Sequence, residues 1–239
     1  MRCAIMQPTY MPWAGYLNLM ASVDLFIYLD DAQYERSSWQ NRNRVLVKGA
    51  PTWLTLPVVR GFLGASIHDV VVDDATKWRR KHATLLSNAY ARHPFSREMV
   101  SAIAPMADES LVCLADLNMA LLAQFRERLS ITTPTLCSSQ LDIPGVRSAR
   151  LIQILEKLGA TEYVTPPGAL DYLKEDAFTQ HTSVQLLVHD FQPTPYPQRE
   201  TAQFHSHLSI LDVAAHLGWQ ACQKYMRPNV EAIRKISQD

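Results

Sequence analysis

The first thirty residues contain two short apolar runs with a helical pattern between them. The apolar runs cover residues 3–6 and 25–29, and the helical pattern covers residues 13–22. Apolar runs of this length are typical of buried strands. Pro12 suits the first turn of a helix, because the N–H that proline lacks is not needed there. Strands joined by a helix are usually parallel neighbours in one sheet. This unit therefore predicts an α/β fold.

The rest of the chain continues the alternation of strands and helices. Apolar patterns predict strands at residues 53–59, 70–72, 135–138, 163–165 and 184–189. Helical spacing predicts helices at residues 78–90, 111–129, 147–158 and 210–217. The expected architecture is a Rossmann-like parallel sheet flanked by helices, with a smaller mixed C-terminal portion. We predict two portions, an N-terminal one of residues 1–142 and a C-terminal one of residues 143–239. The alternative is that both pack together as one domain.

The charge balance argues against a nucleic-acid partner. Lys plus Arg and Asp plus Glu both number 23, whereas proteins that grip phosphate backbones usually carry a basic excess. The basic run at 77–82 is interpreted as a solvated helix face. The four cysteines are far apart in the sequence, which predicts free thiols in a reducing compartment. No apolar stretch is long enough to predict a membrane span, and we expect the cytoplasm.

The loop at residues 7–16 is the first candidate site. It leaves the first predicted strand and opens a helix, and ligands of α/β proteins bind beyond the carboxyl ends of strands. Gln7, Tyr10 and Trp13 are predicted to bind substrate, and Gly15 would allow a close approach. The segment is similar in shape to the HxGH site of nucleotidyltransferases, but aromatic residues replace both histidines. The alternative is that the aromatic residues belong to the core.

Two further polar segments follow the second strand. Asp30 and Asp31 are candidates for a general base, with Gln33 beside them as a binding residue; the alternative is a turn stabilised by a side-chain hydrogen bond. The segment 37–44 supplies a second set of predicted binding residues, namely Trp39, Asn41, Arg42 and Asn43. In this segment the asparagines at 41 and 43 alternate with the arginines at 42 and 44. Arginine is well shaped to hold phosphate or carboxylate. The alternative is a surface loop.

A last candidate segment lies near the C-terminus. Tyr196 and Gln198 are predicted to bind substrate, and His207 is predicted to act as an acid or base. His205 and His207 have no third ligand at motif spacing, so no metal site is predicted. We find no GxSxG, Walker A, HExxH or GxGxxG motif, and serine-triad hydrolysis and P-loop phosphoryl transfer have no support.

These segments resemble the WbqC-like protein family over almost the whole chain. The most specific stretches are AIMQPTYMPWAGY at 4–16, LDDAQY at 29–34, SWQNRNR at 38–44 and WLTLPV at 53–58; later matches are GATEY at 159–163, YPQ at 196–198 and LSILD at 208–212. Two positions depart from the family pattern: VTPPG at 164–168 replaces a glycine-rich turn, and RSAR at 147–150 replaces an Asn-Asp pair. These departures indicate a different substrate if they contact it.

The resemblance implies a role in the biosynthesis of surface polysaccharide such as O-antigen, or of specialised metabolites. Three hypotheses follow. The first is a transferase that adds an acyl or aminoacyl group to an amine, with coenzyme A or the phosphopantetheine of an acyl carrier protein as thioester donor. The second is a glycosyl or nucleotidyl transferase that binds a nucleotide or nucleotide sugar. The third is a non-catalytic binding protein of a biosynthetic complex.

Overall fold

The computed structural model of the protein describes residues 1–226 and 233–235. The strands in chain order are β1 (Arg2–Met6), β2 (Leu25–Tyr28), β3 (Arg42–Val47), β4 (Ala50–Thr55), β5 (Thr135–Cys137), β6 (Glu162–Thr165), β7 (Gln185–His189) and β8 (Ile233–Lys235). The helices are α1 (Ala14–Ala21), α2 (Trp78–Ala89), α3 (Ser96–Ser101), α4 (Leu114–Arg128), α5 (Arg147–Lys157), α6 (Leu170–Glu175), α7 (Ile210–Leu217) and α8 (Trp219–Tyr225).

Within the described residues the main sheet has six strands in the order β5-β2-β1-β6-β7-β8. All neighbours are parallel except β8, which runs antiparallel to β7. From β1 the chain passes to β2 on one side and later reaches β6 on the other. Strand order therefore reverses between β1 and β6, and such switch points open a crevice at the carboxyl ends of the strands.

The two faces of the sheet carry separate layers of apolar side chains. In β1, Ala4 belongs to the larger core, which includes residues of α1, α4 and α7, whereas Cys3 and Ile5 belong to the core beneath α5 and α6. This alternation follows from the two-residue period of a strand. Because both faces are covered, the neighbouring strands β1 and β2 consist almost entirely of apolar residues.

The predicted fold class is confirmed. The predicted strand at 53–59 was partly wrong, since β4 begins at Ala50 and ends at Thr55. It pairs antiparallel with β3, which sequence analysis missed. In β3 the polar residues themselves alternate: Arg42 and Arg44 are half-buried while Asn43 is buried, so no apolar period marked the strand.

Three further differences concern the ends and gaps of the predicted pattern. Residues 70–72 make only isolated bridges, because the segment lies between short turns. The helices α3, α6 and α8 were not predicted; each has seven residues or fewer, too short for a periodic signal. The predicted helix at 210–217 is α7, which Ser209 caps by accepting from the N–H of Leu211 at 3.3 Å, and a further helix, α8, follows it.

The main sheet draws strands from both sides of residue 142, namely β1, β2 and β5 before it and β6, β7 and β8 after it. The division into two portions stays a prediction. In the part of the chain that the structure describes, no helix combines the length and apolar character needed to cross a membrane.

Candidate functional site

Three adjoining cavities lie along the carboxyl edge of the main sheet. The central cavity, of about 310 Å³, lies over the switch point between β1 and β6. The Asp31 cavity, of about 450 Å³, shares Gln7, Leu29 and other lining residues with it. The His207 cavity, of about 160 Å³, shares Trp13 and Tyr16 with it. We call the three together the edge groove. It is the crevice in which open α/β sheets bind their ligands.

The floor of the central cavity offers two hydrogen-bond donors without a protein acceptor. Gln7 accepts through Oε1 from Nε2 of Gln40 at 2.9 Å, which orients its amide and leaves Nε2 to donate. Thr165, at the end of β6, is fully buried. Its Oγ1 lies near the Tyr163 hydroxyl but forms no hydrogen bond of normal geometry with it or with another described residue. Buried polar atoms nearly always have a partner, so the buried Thr165 hydroxyl indicates a ligand with an acceptor atom. The amide of Gln7 is half-buried, and its Nε2 can donate to the same ligand.

Trp13 and Tyr16 line both the central cavity and the His207 cavity, where the two adjoin. The Tyr16 hydroxyl donates to the carbonyl oxygen of Gln7 at 3.0 Å, and its ring is buried. The Trp13 indole lies across Gly15, where a Cβ would stand 2.2 Å from the ring. The close approach that Gly15 allows is therefore used by the chain's own tryptophan, which fixes the ring at the edge of the groove.

The two predicted acids have different surroundings. Asp30 is buried and accepts from Ser139 through both its N–H at 3.0 Å and its Oγ at 2.6 Å, which ties the end of β2 to the end of β5. Asp31 lines the Asp31 cavity and accepts from Arg150 and from Ser138. Burial raises the pKa of Asp31, but the hydrogen bonds from Arg150 and Ser138 outweigh it and hold the pKa below its ordinary value. A carboxylate so stabilised is a weak base.

His207 lies at the other end of the edge groove. Its backbone has φ of 58°, a left-handed conformation that costs a non-glycine residue about 1 kcal/mol or more. The imidazole packs on Trp13 at 4.4 Å between ring centroids, and Nδ1 lies 2.8 Å from Ser206 Oγ. Burial, and then the charge of Arg44, lower the pKa of His207. The ring is therefore neutral at pH 7 and can accept a proton.

Sequence analysis missed His189, which lines the His207 cavity from the end of β7. Its Nε2 contacts Oδ1 of Asn18, an acceptor, so Nε2 carries the proton and Nδ1 holds a lone pair. Burial lowers the pKa of His189 to about 4. Its position at the carboxyl end of a strand was the available signal. Thr165 and Arg150 were missed as well, because nothing in their local sequence marks them.

Two arginines stand near the groove on the outer face of β3. The Arg42 guanidinium lies 4.2 Å from the Trp53 ring, and the Arg44 guanidinium lies 5.7 Å from it. Trp39, which lines the central cavity, is 5.5 Å from Trp53. Both tryptophans are nearly half exposed, at 47% and 45%. Within residues 1–226 and 233–235 neither arginine pairs with a carboxylate, so both are available to an anion.

The structure brings together about half of the predicted site residues. Those that line the edge groove are Gln7, Trp13, Asp31, Gln33, Trp39 and His207. Gln33 contributes at the Asp31 cavity, where its carbonyl oxygen also accepts from Gln40 Nε2 at 3.1 Å. Their convergence depends on the strand order, which places the ends of β1 and β2 side by side.

The other predicted residues lie outside the groove. Tyr10 is buried, and its hydroxyl is 2.8 Å from His82 Nδ1. Asn43 donates from Nδ2 to the carbonyl oxygen of Tyr10 at 3.3 Å. Tyr196 and Gln198 belong to a hydrogen-bond network around the buried carboxylate of Asp212. Asn41 lines a separate cavity behind the segment 33–41.

None of the four cysteines lines the edge groove in the described part of the chain. All four thiols are free. Burial raises the pKa of Cys3 and of Cys137 to about 11 and that of Cys222 to about 12, and it also raises the pKa of Cys113. A nucleophilic cysteine needs a lowered pKa, so no thiol here has that environment.

Comparisons with known proteins agree over most of the chain. A sequence profile described as the WbqC-like protein family matches residues 7–224. An uncharacterised protein of Mycobacterium tuberculosis is 32% identical over 222 residues, which are 92% of this chain and 95% of that protein. No solved structure matches the chain.

Proposed function

The chain belongs to the WbqC-like protein family, and from that premise we propose that it is a biosynthetic transferase which adds an acyl or aminoacyl group to an amine. The donor is a thioester of coenzyme A or of a carrier-protein phosphopantetheine. The observation that carries the proposal is the pair of unpartnered donors in the central cavity, Gln7 Nε2 and Thr165 Oγ1.

Acyl transfer needs donors for the oxygen that becomes negative when the carbonyl is attacked. Donors that already point into a site stabilise this charge without reorganisation, and removal of one such donor lowers rates on the order of a hundredfold or more. Gln7 is held by Gln40 and Thr165 is held by its strand, so both are positioned before substrate enters. The thioester carbonyl oxygen is assigned to this place in the central cavity.

His207 is the base of the proposed reaction. The amine nitrogen forms a bond to the thioester carbon, the carbon–sulfur bond breaks, and the thiol leaves. His207 accepts the proton that the amine loses and returns one to the departing sulfur. A base works best with a pKa near the working pH. Asp31 is tied to Arg150, and the pKa of His189 is about 4, so both are poorer bases than His207.

The donor is an anion, and Arg42 and Arg44 are the cations that would bind it. Arginine binds phosphate through paired hydrogen bonds, and a nearby indole can stack on a flat ring or pack an aliphatic arm. Arg44 lies close enough to His207 to lower its pKa. A phosphate at the arginines would therefore lie on the same side of the groove as the base, with the acyl arm reaching into the central cavity.

The positions and pKa values of the cysteines indicate whether the acyl group passes through an enzyme-bound thioester. Because no thiol lines the groove and all four have raised pKa values, the proposed reaction is a direct transfer without an acyl-cysteine intermediate. Both substrates must then bind together before product forms. Free thiols and thioester donors are typical of the cytoplasm, where the proposal places the reaction, within surface-polysaccharide or specialised-metabolite biosynthesis.

A second candidate function rests on the tryptophan pair. Trp39 and Trp53 lie side by side beside Arg42, an arrangement that can stack a nucleobase above a diphosphate. A nucleotide sugar would then be the donor in a glycosyl or nucleotidyl transfer. This alternative uses the same arginines but does not require His207 to act on an amine.

The test supplies the protein with acyl-coenzyme A and a panel of amines and amino sugars, and detects products by mass spectrometry. We expect an acylated amine with the natural protein and at least a hundredfold lower rate with Thr165→Val, which removes an unpartnered hydroxyl and keeps the shape. Thr133→Val, at a threonine outside the groove, serves as the matched control. If no thioester gives product while a nucleotide sugar is consumed, the second function replaces the first.

A further inference from the structure

The largest cavity described lies apart from the edge groove and has a volume of about 630 Å³. It is bounded by the segment 34–41, the end of β4 and the loop that follows it. We call it the second cavity. Residues that matter for its chemistry are Tyr34, Asn41, Arg36, Arg60, Phe62 and Leu63. Nothing in the proposed transferase reaction uses it.

Two polar atoms on its wall are buried and unpartnered. Asn41 is 4% exposed, and its Nδ2 donates to the carbonyl oxygen of Leu56 at 3.0 Å. That bond fixes the amide, and Oδ1 is left without a donor among the described residues. Tyr34 is 3% exposed, and its hydroxyl also has no partner there. Unpaired buried polar groups cost free energy unless a ligand or water satisfies them.

The rim of the second cavity is basic and apolar. Arg36 and Arg60 are exposed, and neither forms an ion pair within residues 1–226 and 233–235. Leu63 is 79% exposed and Phe62 is half-buried beside it. An exposed apolar side chain next to two unpaired guanidinium groups suits a ligand that carries an anion together with an uncharged organic part.

We propose that the second cavity binds a phosphate ester whose organic part carries amide or hydroxyl groups. Arg36 and Arg60 hold the phosphate. Asn41 Oδ1 can only accept, so the ligand supplies an N–H or O–H there, and the Tyr34 hydroxyl donates to a carbonyl or hydroxyl oxygen of the ligand. Phosphopantetheine and amino-sugar phosphates share this chemistry, and the experiment separates them.

The second cavity and the edge groove lie on opposite sides of one extended segment. Gln33 and Glu35 line the Asp31 cavity, whereas Tyr34 and Arg36 line the second cavity. Side chains of an extended chain alternate in this way. A ligand in the second cavity would therefore hold the segment that forms one wall of the groove. The binding site itself does not rest on the proposed function.

Calorimetric titration tests the proposal with three probes: inorganic phosphate, 4′-phosphopantetheine and glucosamine-1-phosphate. We expect at least one ester to bind more than tenfold more tightly than inorganic phosphate. Tyr34→Phe should weaken that ester several-fold, and Arg36→Ala with Arg60→Ala should weaken it more than tenfold. The matched control Arg97→Ala, at an exposed arginine on α3, should leave the affinity unchanged.

The variants are chosen so that a loss of ester binding reports on the second cavity and not on unfolding. Tyr34→Phe removes a hydroxyl that bonds to nothing in the described protein, and the arginines are exposed, so the fold should persist and thermal unfolding checks it. Loss of ester binding in the Tyr34 and arginine variants separates this site from the edge groove, because none of these three residues lines the groove. Equal binding of the esters and inorganic phosphate, equal binding by the Tyr34 and arginine variants, or no binding at all would overturn the proposal.

Discussion

Nε2 of the buried His189 contacts Oδ1 of Asn18, and Asn18 donates from Nδ2 to the carbonyl oxygen of Met226 at 2.6 Å. The second bond fixes which end of the amide faces the histidine. Because that end is an oxygen, the histidine must donate, and its proton lies on Nε2. Nδ1 is therefore an acceptor, on a ring that lines the His207 cavity. We expect it to receive a hydrogen bond from the amine substrate.

Stability should fall on acidification between pH 6.5 and 4. Burial lowers the pKa values of His189 and His82 to about 4 from an ordinary 6.5. In this window the unfolded chain binds protons that the folded chain does not, so the free energy of unfolding falls as pH falls, by up to about 1.4 kcal/mol per pH unit for each histidine. Urea denaturation at several pH values measures this slope.

The matched variants for this prediction are His189→Gln and His181→Gln. Glutamine at 189 can still donate to Asn18 but does not titrate, so the slope should decrease by about half of the contribution from the two buried histidines. His181 is exposed, and its replacement should leave the slope unchanged. An unchanged slope in the His189 variant would contradict the assignment.

Asp30 should matter more for stability than Asp31. Asn at position 30 gives up one of the acceptor oxygens that hold Ser139, and loss of a hydrogen bond to a buried charge costs about 1.5–3 kcal/mol. Asp31 is less buried, so Asp31→Asn should cost less. Urea denaturation compares both with Asp171→Asn, at an exposed position in α6. If Asp31→Asn lowered the free energy of unfolding more than Asp30→Asn, the hydrogen bonds from Asp30 to Ser139 would not be the main stabilising link between β2 and β5.

Gly15→Ala should displace Trp13 and change His207. An added Cβ would stand 2.2 Å from the indole, so the ring must leave its place against His207. The imidazole would become more exposed, and its lowered pKa should rise toward the ordinary value, which NMR titration measures. Gly168→Ala is the control, because Gly168 also lines the central cavity but its added Cβ meets no atom within 4 Å. The same pKa in both variants would count against the contact.

Arg42→Ala and Arg44→Ala should each weaken coenzyme A binding by about tenfold, since hydrogen bonds to charged groups contribute about 1.5–3 kcal/mol. Only Arg44→Ala should also raise the pKa of His207, because Arg44 is the charge that lowers it. Calorimetry and NMR titration measure the two effects. Unchanged affinity in both variants would place the donor elsewhere.

Local patterns predicted much of the fold and the first half of the site. The loop 7–16 and the pair Asp30 and Asp31 follow apolar strands, and residues after strands gather at one edge whatever the strand order. Which strands become neighbours is not a local property. Thr165 lies beside Gln7 because β6 pairs with β1, and local sequence does not reveal that pairing. His189 reached the groove in the same way, through the pairing of β7 with β6.

The second cavity was beyond prediction for a different reason. Asn41 was predicted to bind substrate beside Arg42, as one polar segment. In the structure Asn41 faces inward beside Leu56 while Arg42 packs outward on Trp53. The hairpin of β3 and β4 separates the two side chains, and no apolar period revealed that hairpin.

β1 occupies the middle of the main sheet, although it precedes every other described strand of that sheet in the sequence. It pairs with β2 early, but its other neighbour β6 follows much later, and Arg2 meets Glu162 across 160 positions of sequence. During synthesis the central strand therefore has one open edge until most of the chain has left the ribosome. A partner that shields this edge would be needed most by nascent chains that have not yet reached β6.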